Sequence, residues 1–207
     1  MKRERNALLL AARYVSLLFT PFFLPVMGLI ALFIFSYLSM MPLLYKVTVV
    51  VMVWLFTVIM PQLLIRIYRH YQGWHILKML TREGRMIPYA ISLTCYVACY
   101  YVMHSLHMPH FMSSVLMAAI AIQVPCAIIN HWWKISTHTA AIGGTVGAVM
   151  AFAFIFGFNP IWWICALTFL AGIVGTSRTL LRLHTLGEVT GGFLIGLLAG
   201  FIAVIAS

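Results

Sequence analysis

The sequence predicts an all-α fold, a polytopic bundle of six or seven transmembrane helices. Of its 207 residues, 64% are hydrophobic and only 8% are charged, which is far outside the range of soluble proteins. Apolar runs of about 20 residues, the length that crosses a bilayer, recur along the whole chain. We therefore expect a single integral membrane domain over residues 1–207.

Seven apolar runs are long enough to be spans. Pro21 and Pro25 fall inside the first run, where they would kink the helix or make it re-entrant, so the sequence allows six or seven crossings. The runs cover residues 14–39, 46–68, 87–104, 111–130, 139–157, 160–176 and 188–206.

The net charge of +10 comes from basic residues in the short connections between the apolar runs. This distribution excludes a nucleic-acid-binding face and is typical of a membrane interface. With seven crossings, every Lys and Arg except Lys46 falls on one side. By the positive-inside rule that side is cytoplasmic, so we expect a protein of the cell (inner) membrane with its N-terminus in the cytoplasm.

Three connections carry clusters of polar residues. Lys78 and Arg85 follow the second run, residues 134–138 follow the fourth, and residues 177–188 follow the sixth. Two spans separate neighbouring clusters, and an even number of crossings returns the chain to the same face. The sequence therefore predicts that all three clusters meet at one membrane face.

The third cluster carries the most specific pattern, Ser-Arg-x5-His-x3-Glu, from Ser177 to Glu188. The chain has no Asp and three Glu, and Glu188 is the one that lies four residues from a histidine. If this segment is helical, Ser177, His184 and Glu188 share one stripe. A histidine held by a carboxylate, with a guanidinium nearby, suits phosphoryl chemistry, because the cation neutralises a phosphate oxygen.

These residues resemble the three motifs of the type-2 phosphatidic acid phosphatase superfamily, Lys-x6-Arg-Pro, Pro-Ser-Gly-His and Ser-Arg-x5-His-x3-Asp. Lys78 and Arg85 match the first motif, although Met86 replaces its Pro. Ser136 and His138 match half of the second, with Ile135 and Thr137 in place of Pro and Gly. Ser177, Arg178 and His184 match the third, in which Glu188 replaces the Asp. The matches follow the family's order from residue 78 to residue 188.

The resemblance implies a membrane lipid phosphate phosphatase with an active site at one membrane face. His184 would attack phosphorus, Glu188 would hold its ring, and His138 would serve as acid and then base. Lys78, Arg85 and Arg178 would bind the phosphoryl oxygens, with Ser136 and the Thr137 backbone N–H as further donors. No metal or other cofactor is implied. The expected partners are a lipid phosphate substrate and membrane lipids. Nothing in the sequence selects the lipid or the oligomeric state.

Other interpretations remain open at this stage. The Ser136 side chain could cap a helix, Lys134 could anchor the chain at the interface, and Arg82 with Arg85 is a rival pairing for the first motif. His104, His107 and His110, with neighbouring methionines, could bind copper in a membrane protein or transporter. A third hypothesis is a non-catalytic membrane scaffold, suggested by the departures from the second and third motifs.

Overall fold

The computed structural model describes residues 2–35, 37–71 and 82–206. Helices account for most of this part of the chain, and it contains no strand. The α-helices are α1 (Lys2–Leu18), α2 (Leu24–Phe35), α3 (Leu43–Trp54), α4 (Met60–Tyr71), α5 (Arg82–Ser105), α6 (His110–Ile129), α7 (Thr137–Phe156), α8 (Ile161–Leu180) and α9 (Leu186–Ala206). The predicted all-α class is therefore confirmed.

Seven helical stretches are long and apolar enough to cross a membrane. The first extends over α1 and the start of α2, and the second joins α3 and α4 through the π-helical turn Leu55–Ile59. The remaining five correspond to α5 to α9. The bounds of the seven stretches differ from the sequence-based ones by a few residues, except that the first covers Asn6–Ile30 rather than residues 14–39. The chain is thus an integral membrane protein by length and composition of its helices.

The first span is broken near its middle, as its prolines predict. α1 ends at Leu18, Thr20 is extended (φ −71°, ψ 146°), and a 3₁₀ turn over Pro21–Phe23 leads into α2. Proline suits the first turn of a helix because its missing N–H would have no partner there. Consequently α1 and α2 have different neighbours: α1 packs on α8, whereas α2 packs on α3 and α6.

The centre of the bundle is α7, whose span is 56% buried, compared with 33% or less for each of the other six. Its principal partner is α9. A Cβ built on Gly196 would overlap the carbonyl of Ala140, and one on Gly143 would overlap that of Phe193. Small residues therefore let the two backbones touch, as is common between helices in membranes. Gly143 of α7 and Gly196 of α9 are thus both required for the close approach.

The segment from Ser177 to Glu188 is not one helix, so the predicted shared stripe is wrong. α8 ends at Leu180, and a turn over residues 181–185, with Arg182 at φ 52°, leads to α9. Ser177 lies on α8, where its hydroxyl donates to the carbonyl of Ile173 at 2.8 Å. His184 therefore lies in the turn before α9 and contacts Glu188 in the first turn of that helix.

Candidate active site

Three parts of the chain meet at one end of the bundle. The backbone N–H of Ser136, before α7, donates to the carbonyl of Glu188, in α9, at 3.2 Å. Asn130, after α6, places Nδ2 3.9 Å from the sulfur of Met86, in the first part of α5. Tyr89 of α5 packs in the same cluster as Ile135. The start of α5, the α6–α7 connection and the α8–α9 turn therefore lie together, as the count of crossings predicted.

His184 and Glu188 form a close pair in this region. The distance from His184 Nδ1 to Glu188 Oε2 is 2.9 Å, and the two side chains are 7% and 13% exposed. When Nδ1 carries the proton and donates it to the carboxylate, Nε2 keeps its lone pair. In that tautomer the lone pair of Nε2 is not used by the pair.

The turn at Thr185 fixes the position of Glu188. The Thr185 N–H donates to Glu188 Oε2 at 3.2 Å, and the Glu188 N–H donates to Thr185 Oγ1 at 3.4 Å. This is a capping box, in which two unsatisfied N–H groups at a helix start are bonded reciprocally. The same carboxylate oxygen thus accepts hydrogen bonds from the helix start and from the His184 ring.

Burial lowers the pKa of His184 to about 4, with the positive charges of Arg178 and Lys134 acting in the same direction. The hydrogen bond to Glu188 and the charge of that residue raise the pKa, but they do not outweigh burial. The imidazole is therefore neutral at pH 7, which is the form that a nucleophile requires.

Ser136 occupies the N-cap position of α7, but its side chain caps nothing. Ser136 is fully buried, it makes no side-chain capping bond, and its Oγ has no hydrogen-bond partner. The proposed capping role of the side chain is therefore wrong. Thr137 is the first residue of α7, and its N–H has no partner within the helix, because the first N–H groups of a helix never do.

Three buried polar atoms without a hydrogen-bond partner come from residues of the expected site: Ser136 Oγ, His138 Nδ1 and Arg178 Nε. Two others in the described residues, on Thr20 and Gln123, lie elsewhere along the chain. His138 lies close enough to Arg178 and His184 to interact electrostatically with both. Buried polar groups are nearly always hydrogen-bonded, so this concentration makes the region a candidate site for a polar ligand.

Sequence reasoning missed three residues that the structure brings to this region. Thr185 could have been found, because Thr-x-x-Glu before an apolar run is a capping-box signature. Lys134, interpreted as an interface anchor, is near enough to affect His184 electrostatically. Ser16 of α1 accepts a hydrogen bond from Arg178 Nη1 at 2.8 Å, and no local pattern marks it.

The first motif is not tested by the structure. Lys78 lies outside the described residues, and Arg85 is described as part of α5 but without its side chain. The backbone of Arg85 precedes Met86, which contacts Asn130, so the first turn of α5 begins next to the α6–α7 connection. The choice between Lys78 and Arg82 as the partner of Arg85 stays a prediction.

The histidines proposed as copper ligands lie at the opposite end of α5. The described residues contain no group of three or more His, Cys, Asp or Glu side chains that could hold a metal ion. Met103 and Met112 are fully buried in the apolar core beside α2 and α3, and the rings of His104 and Tyr100 stack. These methionines therefore pack the core, and the geometry lends the copper hypothesis no support.

An apolar groove of about 920 Å³ runs between α1 and α8. Ala12 and Val15 line it on one side, and Thr168, Gly172 and Ser177 line it on the other. A Cβ added to Gly172 would meet no atom within 4 Å, so this part of the groove is open. Ser177 precedes Arg178, and Val15 precedes Ser16, so one end of the groove adjoins the Arg178–Ser16 contact.

No protein-family model, curated protein or solved structure matches the chain. The class that fold and site define is thus an integral membrane protein of α-helices with a buried His–Glu pair beside basic residues at one end of the bundle.

Proposed function

We propose that the protein is a membrane lipid phosphate phosphatase, which hydrolyses a phosphomonoester or pyrophosphate of a lipid through a phosphohistidine at His184. The observation that carries the proposal is the His184–Glu188 pair, which lies near the unpartnered atoms of Ser136, His138 and Arg178. These residues bring together a nucleophile, a second histidine and hydrogen-bond donors for a phosphate group.

In the first step Nε2 of His184 attacks phosphorus, and the bond between phosphorus and the lipid oxygen breaks. The leaving oxygen takes a proton from protonated His138, so the lipid departs as a neutral alcohol or, from a pyrophosphate, as a monophosphate. Nδ1–H of His184 stays bonded to Glu188, whose charge stabilises the positive imidazole ring.

In the second step His138, now neutral, removes a proton from a water molecule. The oxygen of that water attacks phosphorus, the bond from phosphorus to Nε2 breaks, and inorganic phosphate is released. His138 is then protonated again and His184 is neutral again, so both residues are ready for another turnover.

Positive and dipolar groups support the phosphoryl oxygens throughout. Arg178 offers its unpartnered Nε–H, and the start of α7 offers the Ser136 hydroxyl and free N–H groups. Lys134 adds a positive charge near His184. Lys78 and Arg85 complete the set of cations by resemblance to the phosphatase motifs. Because cations and N–H groups are fixed in place, they stabilise charge without reorganisation.

The groove between α1 and α8 supports a lipid substrate over a water-soluble one. It is apolar, lies between helices of two spans and adjoins Arg178 through Ser177. A phosphate bound at Arg178 could therefore keep its hydrocarbon chain in the bilayer. Transfer of the hydrocarbon chain from water to an apolar site contributes roughly 0.8 kcal/mol for each CH₂ group. Transfer of the same chain from the bilayer into this groove contributes far less, because the bilayer is equally apolar.

The proposed location is the cytoplasmic face of the cell (inner) membrane. Seven crossings would bring the N-terminal residues Lys2, Arg3 and Arg5 to the side of the site, and by the positive-inside rule their charge supports a cytoplasmic location.

A panel assay of the purified protein tests the function. Phosphatidic acid, phosphatidylglycerol phosphate, an inositol lipid phosphate and a polyprenyl pyrophosphate should be compared, with release of phosphate as the readout. We expect turnover of at least one lipid in excess chelator, inhibition by vanadate, and an acid-labile phosphoenzyme on rapid quenching.

The matched control is His184→Gln, which should abolish turnover and the trapped phosphoenzyme while leaving thermal unfolding unchanged at neutral pH. Turnover of no lipid in the panel would contradict the proposal and favour a non-catalytic scaffold. Strict dependence on magnesium, or substantial activity in His184→Gln, would contradict the mechanism.

A further inference from the structure

Arg178 is tied to a helix that none of the phosphatase-like motifs includes. Its Nη1 donates to Oγ of Ser16 at 2.8 Å, and the two residues are 162 positions apart in the chain. Ser16 is 7% exposed and lies two residues before the end of α1. The backbone of Ser16 also lies near the ring of His138. One residue of α1 therefore adjoins two groups of the proposed site.

The atoms involved leave a specific part of the guanidinium free. An arginine binds a phosphate best through two parallel N–H bonds from one edge of its planar group. Nη1 lies on the Cδ side of the guanidinium, so the edge opposite to it is formed by Nε–H and Nη2–H. In this protein Ser16 occupies Nη1, and Nε is buried without a hydrogen-bond partner. The edge that could bind two phosphoryl oxygens is thus the one that Ser16 does not use.

We propose that Ser16 is a positioning residue: it holds Arg178 by Nη1 so that the Nε–Nη2 edge binds the phosphoryl group. The inference rests on the proposed phosphatase function and adds α1 to the site. Without the hydroxyl, the guanidinium can rotate or shift toward other acceptors, and the two donors lose their alignment. The effect should appear in phosphate binding and in turnover, because the phosphoryl group is held in both the ground state and the transition state.

A purely structural role of the Ser16 bond makes a different prediction. If the bond serves only to fasten α1 to α8, its loss should lower stability but leave the affinity for a phosphate analogue unchanged. Vanadate inhibition therefore distinguishes the two roles, because it measures occupancy of the phosphoryl site independently of the lipid chain.

The experiment compares Ser16→Ala and Ser16→Thr in the full-length purified protein. Ser16→Ala should weaken vanadate inhibition and lower kcat/KM by about tenfold or more, the range for a hydrogen bond to a charged group. Ser16→Thr keeps a hydroxyl and should restore most of both. Ser16→Ala should have little further effect in an Arg178→Ala background, because the residue acts through Arg178.

The matched control is Ser113→Ala. Ser113 is 9% exposed and donates to the carbonyl of His110 at 2.7 Å, at the opposite end of the bundle. This variant should keep wild-type vanadate inhibition. Thermal unfolding of every variant reports whether it folds, and Ser16→Thr keeps the test meaningful if Ser16→Ala does not.

The outcomes separate this inference from the function on which it rests. If the wild-type protein hydrolyses a lipid phosphate and Ser16→Ala is inhibited by vanadate as strongly as wild type, Ser16 does not position Arg178 and the function stands. If no lipid is hydrolysed, vanadate binding measured by calorimetry still tests the positioning role of Ser16. Weaker vanadate binding by Ser16→Ala would uphold it, and equal binding or none at all would overturn it.

Discussion

At the scale of single residues, Glu188 has two roles through one oxygen atom. Oε2 accepts hydrogen bonds from His184 Nδ1 and from the Thr185 N–H, so the carboxylate both orients the ring and closes the helix start. The matching position of the resembled motif holds Asp. Glu is one methylene longer, and here its reach extends back over the first turn of α9 to the residue before the N-cap.

Substitutions of Glu188 should separate its two roles. Glu188→Gln keeps the side-chain length and an acceptor oxygen but removes the charge that stabilises an imidazolium, so kcat should fall by about two orders of magnitude or more. Glu188→Ala should lose activity to a similar degree and should also lower stability by about 0.5–1.5 kcal/mol, since the Thr185 N–H loses its acceptor in the capping box. Lipid phosphatase assays and thermal unfolding in detergent measure the two effects, and equal stability of both variants would contradict the capping role.

The lowered pKa of His184 predicts a pH-dependent stability. The group is neutral in the folded protein down to about pH 4, but its ordinary pKa is 6.5. Between these values the unfolded chain binds a proton that the folded one does not, so stability falls as the pH decreases from 6.5 to 4. His184→Gln does not titrate, so the wild type, which should melt like this variant at neutral pH, should melt at a lower temperature than the variant on acidification. A difference that is constant from pH 7 to pH 4 would contradict the lowered pKa.

At the scale of elements, the site depends on the contact between α7 and α9. Ser136 and His138 lie at the start of α7, and Glu188 lies in the first turn of α9. The Thr139 hydroxyl bonds to the carbonyls of Ser136 and Val189, which ties the two starts together. Glycines along the rest of the pair keep the axes close. The spacing of these helices therefore sets the distance between the two histidines.

The helix contact can be tested with one added methyl group. Gly196→Ala would place Cβ in the carbonyl of Ala140, so the helices must separate. We expect a loss of about 1–3 kcal/mol in stability, the usual cost of overpacking, together with reduced activity. Gly172→Ala is the control, because its Cβ would meet no atom within 4 Å. Unchanged melting of Gly196→Ala would show that the close approach is not required.

The groove between α1 and α8 gives a second test at this scale. Gly172→Phe should fill the groove without a clash at Cβ and so raise KM for a long-chain lipid phosphate several-fold. Hydrolysis of a short-chain, water-soluble analogue should change little. Ala166→Phe, at an exposed position of α8 that does not line the groove, is the control. Equal effects on long and short substrates would contradict a hydrocarbon chain in the groove.

At the scale of the whole molecule, the number of crossings decides on which side of the membrane the site lies. With seven crossings, the N-terminus and the proposed site would share a face, and the charge distribution supports the proposed cytoplasmic location. Six spans would result if the segment around Pro21 returned without crossing. α2 packs on α3 and α6 rather than returning beside α8, which favours a full crossing.

Cysteine labelling should report the topology directly. In a background lacking Cys95, Cys99, Cys126 and Cys165, we expect Asn159→Cys to react with an impermeant maleimide in intact cells. Trp132→Cys, in the α6–α7 connection, should be protected until the cells are permeabilised. The reverse pattern would place the site outside the cell and overturn the cytoplasmic assignment.

The sequence by itself determined the membrane class, the all-α fold and the convergence of the polar connections. Apolar runs of bilayer length leave little alternative to helices, because backbone groups in lipid must bond within their own segment. The pairing of His184 with Glu188 was also predictable, since they lie four positions apart. These features depend on local composition and spacing, which a sequence states directly.

The tertiary structure alone decided the unpartnered Ser136 side chain and the contact between Ser16 and Arg178. Ser16 lies 162 positions from Arg178, and a single serine in an apolar helix has no pattern of its own. The reason is physical: which side chains meet depends on how whole helices pack, and the close approach of α7 to α9 and of α1 to α8 sets those distances.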